Sequence, residues 1–236
     1  MERITLVIGN RNYSSWSLRA WLCLRKSGAT FQEELLPLDT PEFAARIAEL
    51  SPSRTVPVLW HGERCVWDSL AICEYINETF AANTLWPQDA GARAFGRSLV
   101  AEMHSGYGAL RSAMPMNFRA RQRRVPSTPA LQADIARIIE RWASARQRYG
   151  ADGPWLLGRF SIADAFFAPV AVRFGGYGVA LPAGPVADYV RHLRADEAMQ
   201  EWERAAAAEH WVVEADEVGI DEPDLDEPGL ESPAAE

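Results

Sequence analysis

Residues 12–19, Asn12-Tyr13-Ser14-Ser15-Trp16-Ser17-Leu18-Arg19 ("NYSSWSLR"), crowd three serines around one tryptophan where an apolar strand gives way to a helix. The stretch before it, residues 3–9 ("RITLVIG"), is β-like. The stretch after it, 16–26, carries Leu18, Trp21, Leu22 and Leu24 in helical register, and Ser27-Gly28 forms a C-terminal stop. One serine is enough to cap such a helix. The others are surplus, or the turn holds something besides its own backbone.

Working outward, the alternation between the two hydrophobic periods continues for about eighty residues. Residues 31–38 read as a second strand and 41–50 as a short helix, introduced by Asp39-Thr40 with Pro41 near its first position. Residues 56–60 and 64–67 then form a hairpin around His61-Gly62-Glu63, and Asp68-Ser69 opens an apolar helix over 70–80. The order β-α-β-α-β-β-α is that of a thioredoxin-like domain, here assigned to residues 1–81. Periodicity lapses over 82–91, the expected linker. Beyond it only helices are predicted, at about 92–117, 128–149, 162–175 and in one or two pieces over 186–208. The fold class is thus a thioredoxin-like N-terminal domain followed by an all-helical domain over 92–211.

The net charge of −8 is a tail effect, because residues 212–236 hold ten acidic residues and no lysine or arginine. The rest is nearly neutral. Rich in Pro, Gly and acid, the tail cannot bury enough apolar area to offset its ordering entropy, so it is expected to be disordered and solubilising. Apolar content of 48 % is enough for a real core, yet no stretch reaches the roughly 18–20 apolar residues of a membrane span and the N-terminus lacks a signal peptide's layout. A cytoplasmic protein without membrane contact is expected. Cys23, Cys65 and Cys73 are odd in number and lack CxxC spacing, so they read as reduced, mostly buried filler, and no metal is expected. The basic run 119–124 ("RARQRR") lacks aromatic interleaving and reads as a solvated loop, with no nucleic acid as partner.

Three places carry chemistry. Ser14, Ser15 and Ser17 sit at a helix N-terminus, where the dipole and hydroxyl donors favour an anion such as a thiolate, although capping alone also explains a serine there. Val56-Pro57 is either an ordinary strand-initiating proline or a cis bond that leaves the Val56 backbone facing a ligand. Asp68-Ser69 either caps its helix or presents a carboxylate to an amino group and a hydroxyl to a carboxylate. Further on, His104, Tyr107, Arg111 and Met114 fall at three- or four-residue spacing on one predicted helix. They read as a partly buried amphipathic face near a dimer contact, or as a pocket in which Arg111 or His104 attracts an acidic substrate. Arg173, a few residues after Pro169, could point into the same space.

Taken together, these elements resemble the cytosolic glutathione transferase family over nearly the whole chain, residues 4–211. "SSWS", Leu18 and Arg19 resemble the zeta class's Ser-Ser-Cys-Ser motif with its following arginine, with Trp16 in the cysteine position. Ser161-Ile162-Ala163-Asp164 resembles the family's capping box, a folding element. The resemblance implies glutathione as co-substrate, with Ser14 as hydrogen-bond donor to its sulfur and Ser15 as the nearest rival. It also implies that Trp16 lines the site, that Val56 before a cis Pro57 pairs with the cysteinyl part, and that Asp68 with Ser69 holds the γ-glutamyl end. Arg19 is a further candidate, with a structural salt bridge as its alternative role. Glu42 stands where the zeta pattern has Gln, and Trp16 replaces a cysteine, two departures from the pattern of the zeta isomerases. The implied activity is a transferase or isomerase that turns the glutathione thiolate on a small electrophile, in a homodimer with a detoxifying role. The alternatives are a non-catalytic binding protein of the same fold and a glutathione-dependent peroxidase or reductase. With serine and tryptophan in place of a cysteine at the helix start, disulfide reduction is disfavoured.

Overall fold

A computed structural model of the chain describes residues 2–219. Its first half follows the expected order: β1 (Ile4–Ile8), α1 (Ser15–Ser27), β2 (Gln32–Leu35), α2 (Pro41–Leu50), β3 (Val58–His61), β4 (Arg64–Trp67) and α3 (Ser69–Thr79). The strands form one sheet in the order β2-β1-β3-β4. α1 carries the chain back across the sheet, so β1 and β2 are parallel, whereas β3 pairs antiparallel with both β1 and β4. Gly62 supplies the positive φ (60°) that the tight β3–β4 turn requires. Alternation along β1 decides which face meets which helix. Leu6 and Ile8 enter the large core with residues of α1 and α3, while Val7 turns to a smaller one with Leu36, Ile47 and Val58 under α2. A one-residue slip would exchange these two sets.

The second half is helical: α4 (Ala90–Ser105), α5 (Gly108–Ala113), α6 (Pro129–Tyr149), α7 (Ile162–Gly176), α8 (Pro185–Ala195) and α9 (Glu197–Ala207). α7 is apolar and buried nearly all round, as suits the central helix of a bundle. The two halves share one core, because α1 packs on α3 and also on α7, and Trp21 of α1 meets Trp202 of α9 edge-on at 5.1 Å. The capping box at the start of α7 forms as expected: Ser161 donates to Asp164 Oδ2 from its backbone N–H (2.8 Å) and its hydroxyl (2.9 Å). Leu156 N–H donates to the other oxygen at 3.0 Å. Among the described residues no helix is long and apolar enough to cross a membrane.

Four expectations need correction. The second strand is shorter than 31–38, because only Gln32–Leu35 pairs with β1. The single helix expected over 92–117 is two: α4 ends at Gly106, and Tyr107 takes a left-handed conformation (φ 56°) before α5 begins. His104, Tyr107, Arg111 and Met114 therefore do not share one helix face. The basic run is not solvated throughout, since Arg119 donates to Glu209 O, Trp211 O and the Tyr13 hydroxyl. Nor is the whole of 212–236 a free tail. Val213 is buried, Glu214–Asp216 form a 3₁₀ turn, and Glu217 accepts from the Tyr13 hydroxyl (2.5 Å) and Asn117 Nδ2 (2.8 Å) and pairs with Arg123. An acidic segment that composition marks as unable to fold alone is held because basic and hydroxyl partners await it. Residues 220–236 of the expected tail lie outside the described residues. The stretch 82–91 has no strand and only the first turn of α4 at its end, yet it buries Leu85 and Trp86, and Ile162 N–H donates to Leu85 O at 3.0 Å.

Candidate functional site

A cleft of about 480 Å³ opens where β1 hands over to α1. Its lining includes Tyr13, Ser14, Ser15 and Trp16 from that turn, Arg54, Thr55 and Val56 from the segment before β3, and Arg111, Pro115, Met116 and Arg173 from the helical half. The three places that looked separate in the sequence are brought together in part. Ser14, Ser15, Trp16, Val56, Arg111 and Arg173 share the cleft. The Val56-Pro57 bond is cis, as the resemblance implied, and Pro57 is buried behind the lining.

At the serine turn each hydroxyl has a distinct job. Ser14 is the N-cap of α1; its Oγ accepts from Ser17 N–H at 3.4 Å and donates to Ser17 Oγ at 2.7 Å. Ser17 Oγ in turn accepts from Gly9 N–H, at 3.1 Å, so the last residues of β1 are tied to the helix start. Ser15 Oγ accepts from Arg173 Nη2 at 3.5 Å, which ties the turn to α7. Both Ser14 and Ser15 are 6 % exposed. No acidic residue occupies the first turn of α1, so no carboxylate of the helix itself offsets the positive end of its dipole beside the cleft.

Asp68 and Ser69 lie outside this cleft's lining. Asp68 caps α3 with a positive φ (70°, ψ 130°), its Oδ1 accepting from Leu70 N–H (2.9 Å) and Ala71 N–H (3.3 Å). Such a conformation is uncommon for aspartate and is found where structure serves a site. Its other oxygen lies 3.1 Å from His104 Nε2, and the His104 ring meets Trp16 edge-on at 5.4 Å. The chain Asp68–His104–Trp16 thus connects the start of α3 to the cleft wall. Ser69 is buried with a hydroxyl that has no partner among the described residues. Tyr107 is drawn away, its hydroxyl donating to Glu102 at 2.8 Å, and burial with that carboxylate raises its pKa.

Arg19 makes no ion pair among the described residues, so the expected salt bridge is absent there. It is fully buried, its guanidinium 4.1 Å from the Trp16 ring centre and 4.7 Å from that of Phe166. Burial pulls its pKa well down, and the charges of Arg173 and Arg111 act in the same direction. Sequence reasoning missed Arg54, Thr55 and above all Asp216, which comes from the segment set aside as tail and lines the cleft. It passed over Tyr13, which stood inside the opening motif. Cys23 and Cys73 are buried and Cys65 is half-buried; burial raises the Cys23 thiol well above its usual range, which suits filler rather than a nucleophile.

Residues 13–79 match the family described as "Glutathione S-transferase, N-terminal domain". Among curated proteins, Protein IN2-1 of Zea mays is 26 % identical over 68 % of this chain and 62 % of its own length. Glutathione S-transferase L1 of Arabidopsis thaliana is 25 % identical over 66 % and 61 %. The chain thus spans about three fifths of the length of these relatives. A glutathione transferase homolog from Burkholderia gl BGR1, solved with bound glutathione, superposes with a TM-score of 0.66 at 24 % identity, covering 88 % of this chain and 99 % of that one. The domain match and these relatives support the glutathione S-transferase family, and the structural likeness agrees with the fold.

Proposed function

We propose that the chain is a glutathione transferase that binds glutathione in its N-terminal half and presents the sulfur to Ser14 at the start of α1. The observation that carries this is the convergence of Ser14, Ser15 and Val56 on one cleft at the N-terminus of α1, whose first turn holds no acid. Glutathione loses its thiol proton to solvent, and the sulfur's electron pair attacks an electrophilic carbon, displacing a leaving group or adding to a polarised double bond. No general base is needed if the thiolate is held at low pKa. The Val56 backbone and the Asp68-Ser69 start of α3 belong to the same proposal as holders of the cysteinyl and γ-glutamyl parts. So do the homodimer, the detoxifying role and the cytoplasmic setting expected from the sequence. The zeta-like isomerase specificity rests on the serine motif alone.

Ser17 explains the surplus hydroxyl. If Ser17 keeps the Gly9 N–H as donor to its oxygen and turns its own proton to Ser14 Oγ, 2.7 Å away, the Ser14 proton is released toward the sulfur. Hydroxyl protons rotate freely enough for this, and a chain of hydrogen bonds polarises its last member. Ser14→Ala is expected to lower kcat/KM about a hundredfold and Ser17→Ala about tenfold, each raising the thiol pKa of bound glutathione in a spectroscopic pH titration. Wild-type protein that shows no heat of binding with glutathione, or a Ser14→Ala enzyme with unchanged thiol pKa and rate, overturns the proposal.

A further inference from the structure

Around Trp16 the cleft collects more positive charge than the structure balances. Arg173 is 4 % exposed; its Nε donates to Met114 O at 2.7 Å and its Nη2 to Ser15 Oγ at 3.5 Å, while Nη1 has no partner among the described residues. Arg111, from α5, sits 5.1 Å from the Trp16 ring centre and makes only a long bond to His104 O, at 3.5 Å. Behind them Arg19 is buried with all three side-chain nitrogens unpartnered among the described residues. No ion pair joins any of the three to a carboxylate there. Burial, followed by the charge of Arg111, pulls the Arg173 pKa to about 10, which still leaves it cationic at neutral pH.

Buried cations without counterions are costly, and an unmade hydrogen bond adds to that cost. Two of these arginines line the same cleft as Ser14 and Ser15, in company with Tyr13, Trp16, Phe43, Pro115 and Met116. These aromatic and apolar side chains stand beside the two guanidiniums, and a guanidinium fork matches a planar carboxylate. The structure points to a second substrate that carries a carboxylate, seated on Arg173 and Arg111 while its electrophilic carbon faces the sulfur. This rests on the glutathione reading of the same cleft. The arginines serve the second substrate because both come from the helical half, whereas the N-terminal half brings its own Arg54, Thr55 and Val56. Asp216 lines the cleft too and its charge acts on Arg173, so it is an internal anion that a bound carboxylate must work against.

A matched pair of electrophiles tests this. With para-(bromomethyl)benzoate, glutathione sulfur forms a bond to the benzylic carbon, the carbon–bromine bond breaks, bromide leaves with its electron pair, and the thiol proton goes to solvent. The para-(bromomethyl)benzamide reacts identically but is neutral. The benzoate KM is expected about tenfold below the benzamide KM, and Arg173→Gln or Arg111→Gln is expected to erase that difference with the glutathione KM unchanged. Asp216→Asn is expected to lower the benzoate KM about threefold. Calorimetry with the unreactive para-toluate and para-toluamide reads the same preference without glutathione. Arg111→Gln, at a half-exposed position, decides the matter if Arg173→Gln does not fold. Equal affinity for the two probes, equal loss of both in the variants, or competition between toluate and glutathione overturns the proposal. Selective toluate binding without any glutathione binding upholds the carboxylate site and overturns the glutathione reading instead.

Discussion

Asp164 shows what one residue does beyond its motif. The Ser-x-x-Asp spacing announced a capping box, and the structure forms it at the buried start of α7. Spacing does not tell that the carboxyl is wholly enclosed, so that burial raises its pKa to about 6 despite the hydrogen bonds from Leu156 and Ser161 that lower it. With the folded value above the unfolded one, the native state holds this proton longer. Its contribution is fully present below about pH 4 and is lost as pH rises through about 6. Wild-type stability relative to Asp164→Asn is therefore expected to fall by about 2 kcal/mol between pH 4 and 7, as denaturation midpoints of both proteins at each pH would show. A constant gap means that Asp164 titrates normally. The same contrast holds for Arg19: its place after the serine motif was legible, but its stacking on Trp16 and Phe166 in place of a salt bridge was not, because Phe166 lies far along the chain.

At the scale of elements, α1 was legible almost to the residue, and for reasons that are local. Ser14 caps it, Arg25 and Lys26 sit in its last turn, and Gly28 ends it at φ 76° with its N–H donating to Arg25 O. A Cβ at Gly28 would touch nothing within 4 Å, so only the backbone conformation opposes a side chain. Gly28→Ala is expected to cost about 1 kcal/mol and to lower Tm by about 3 °C, read by thermal denaturation, with glutathione affinity unchanged. The break between α4 and α5 was not legible. Gly106 and Tyr107 sit amid residues with sound helical spacing, and a left-handed Tyr107 is an outcome of packing, its ring buried and its hydroxyl held by Glu102. That break decides the site: it leaves His104 beside Asp68 and brings Arg111 to the cleft.

Across the whole molecule, residues distant in sequence meet at Glu217. Burial opposes its charge, but hydrogen bonds from Tyr13, Arg123 and Asn117 outweigh this and hold its carboxyl below the ordinary value. Through these bonds the segment 212–219 is fastened to the serine turn, the basic run and the loop after α5, and Asp216 is set at the cleft. Glu217→Ala is expected to cost about 2 kcal/mol in chemical denaturation, since it leaves polar partners unsatisfied, and to raise proteolytic cutting within 212–219. Unchanged stability and cutting would show that the segment is held otherwise. By itself the sequence determined the order of elements, the thioredoxin-like half and the helical half, the serine turn and both helix caps, because periodicity, capping and turn chemistry act between residues a few positions apart. Packing through space set Arg19 and Arg111 against one tryptophan with Arg173 in the same cleft, closed an acidic tail segment on a basic run, and chose which candidate residues share that cleft. Those outcomes depend on how α1, α5 and α7 pack around Trp16, and such packing is set by side chains that are brought together through space and have no fixed separation along the chain.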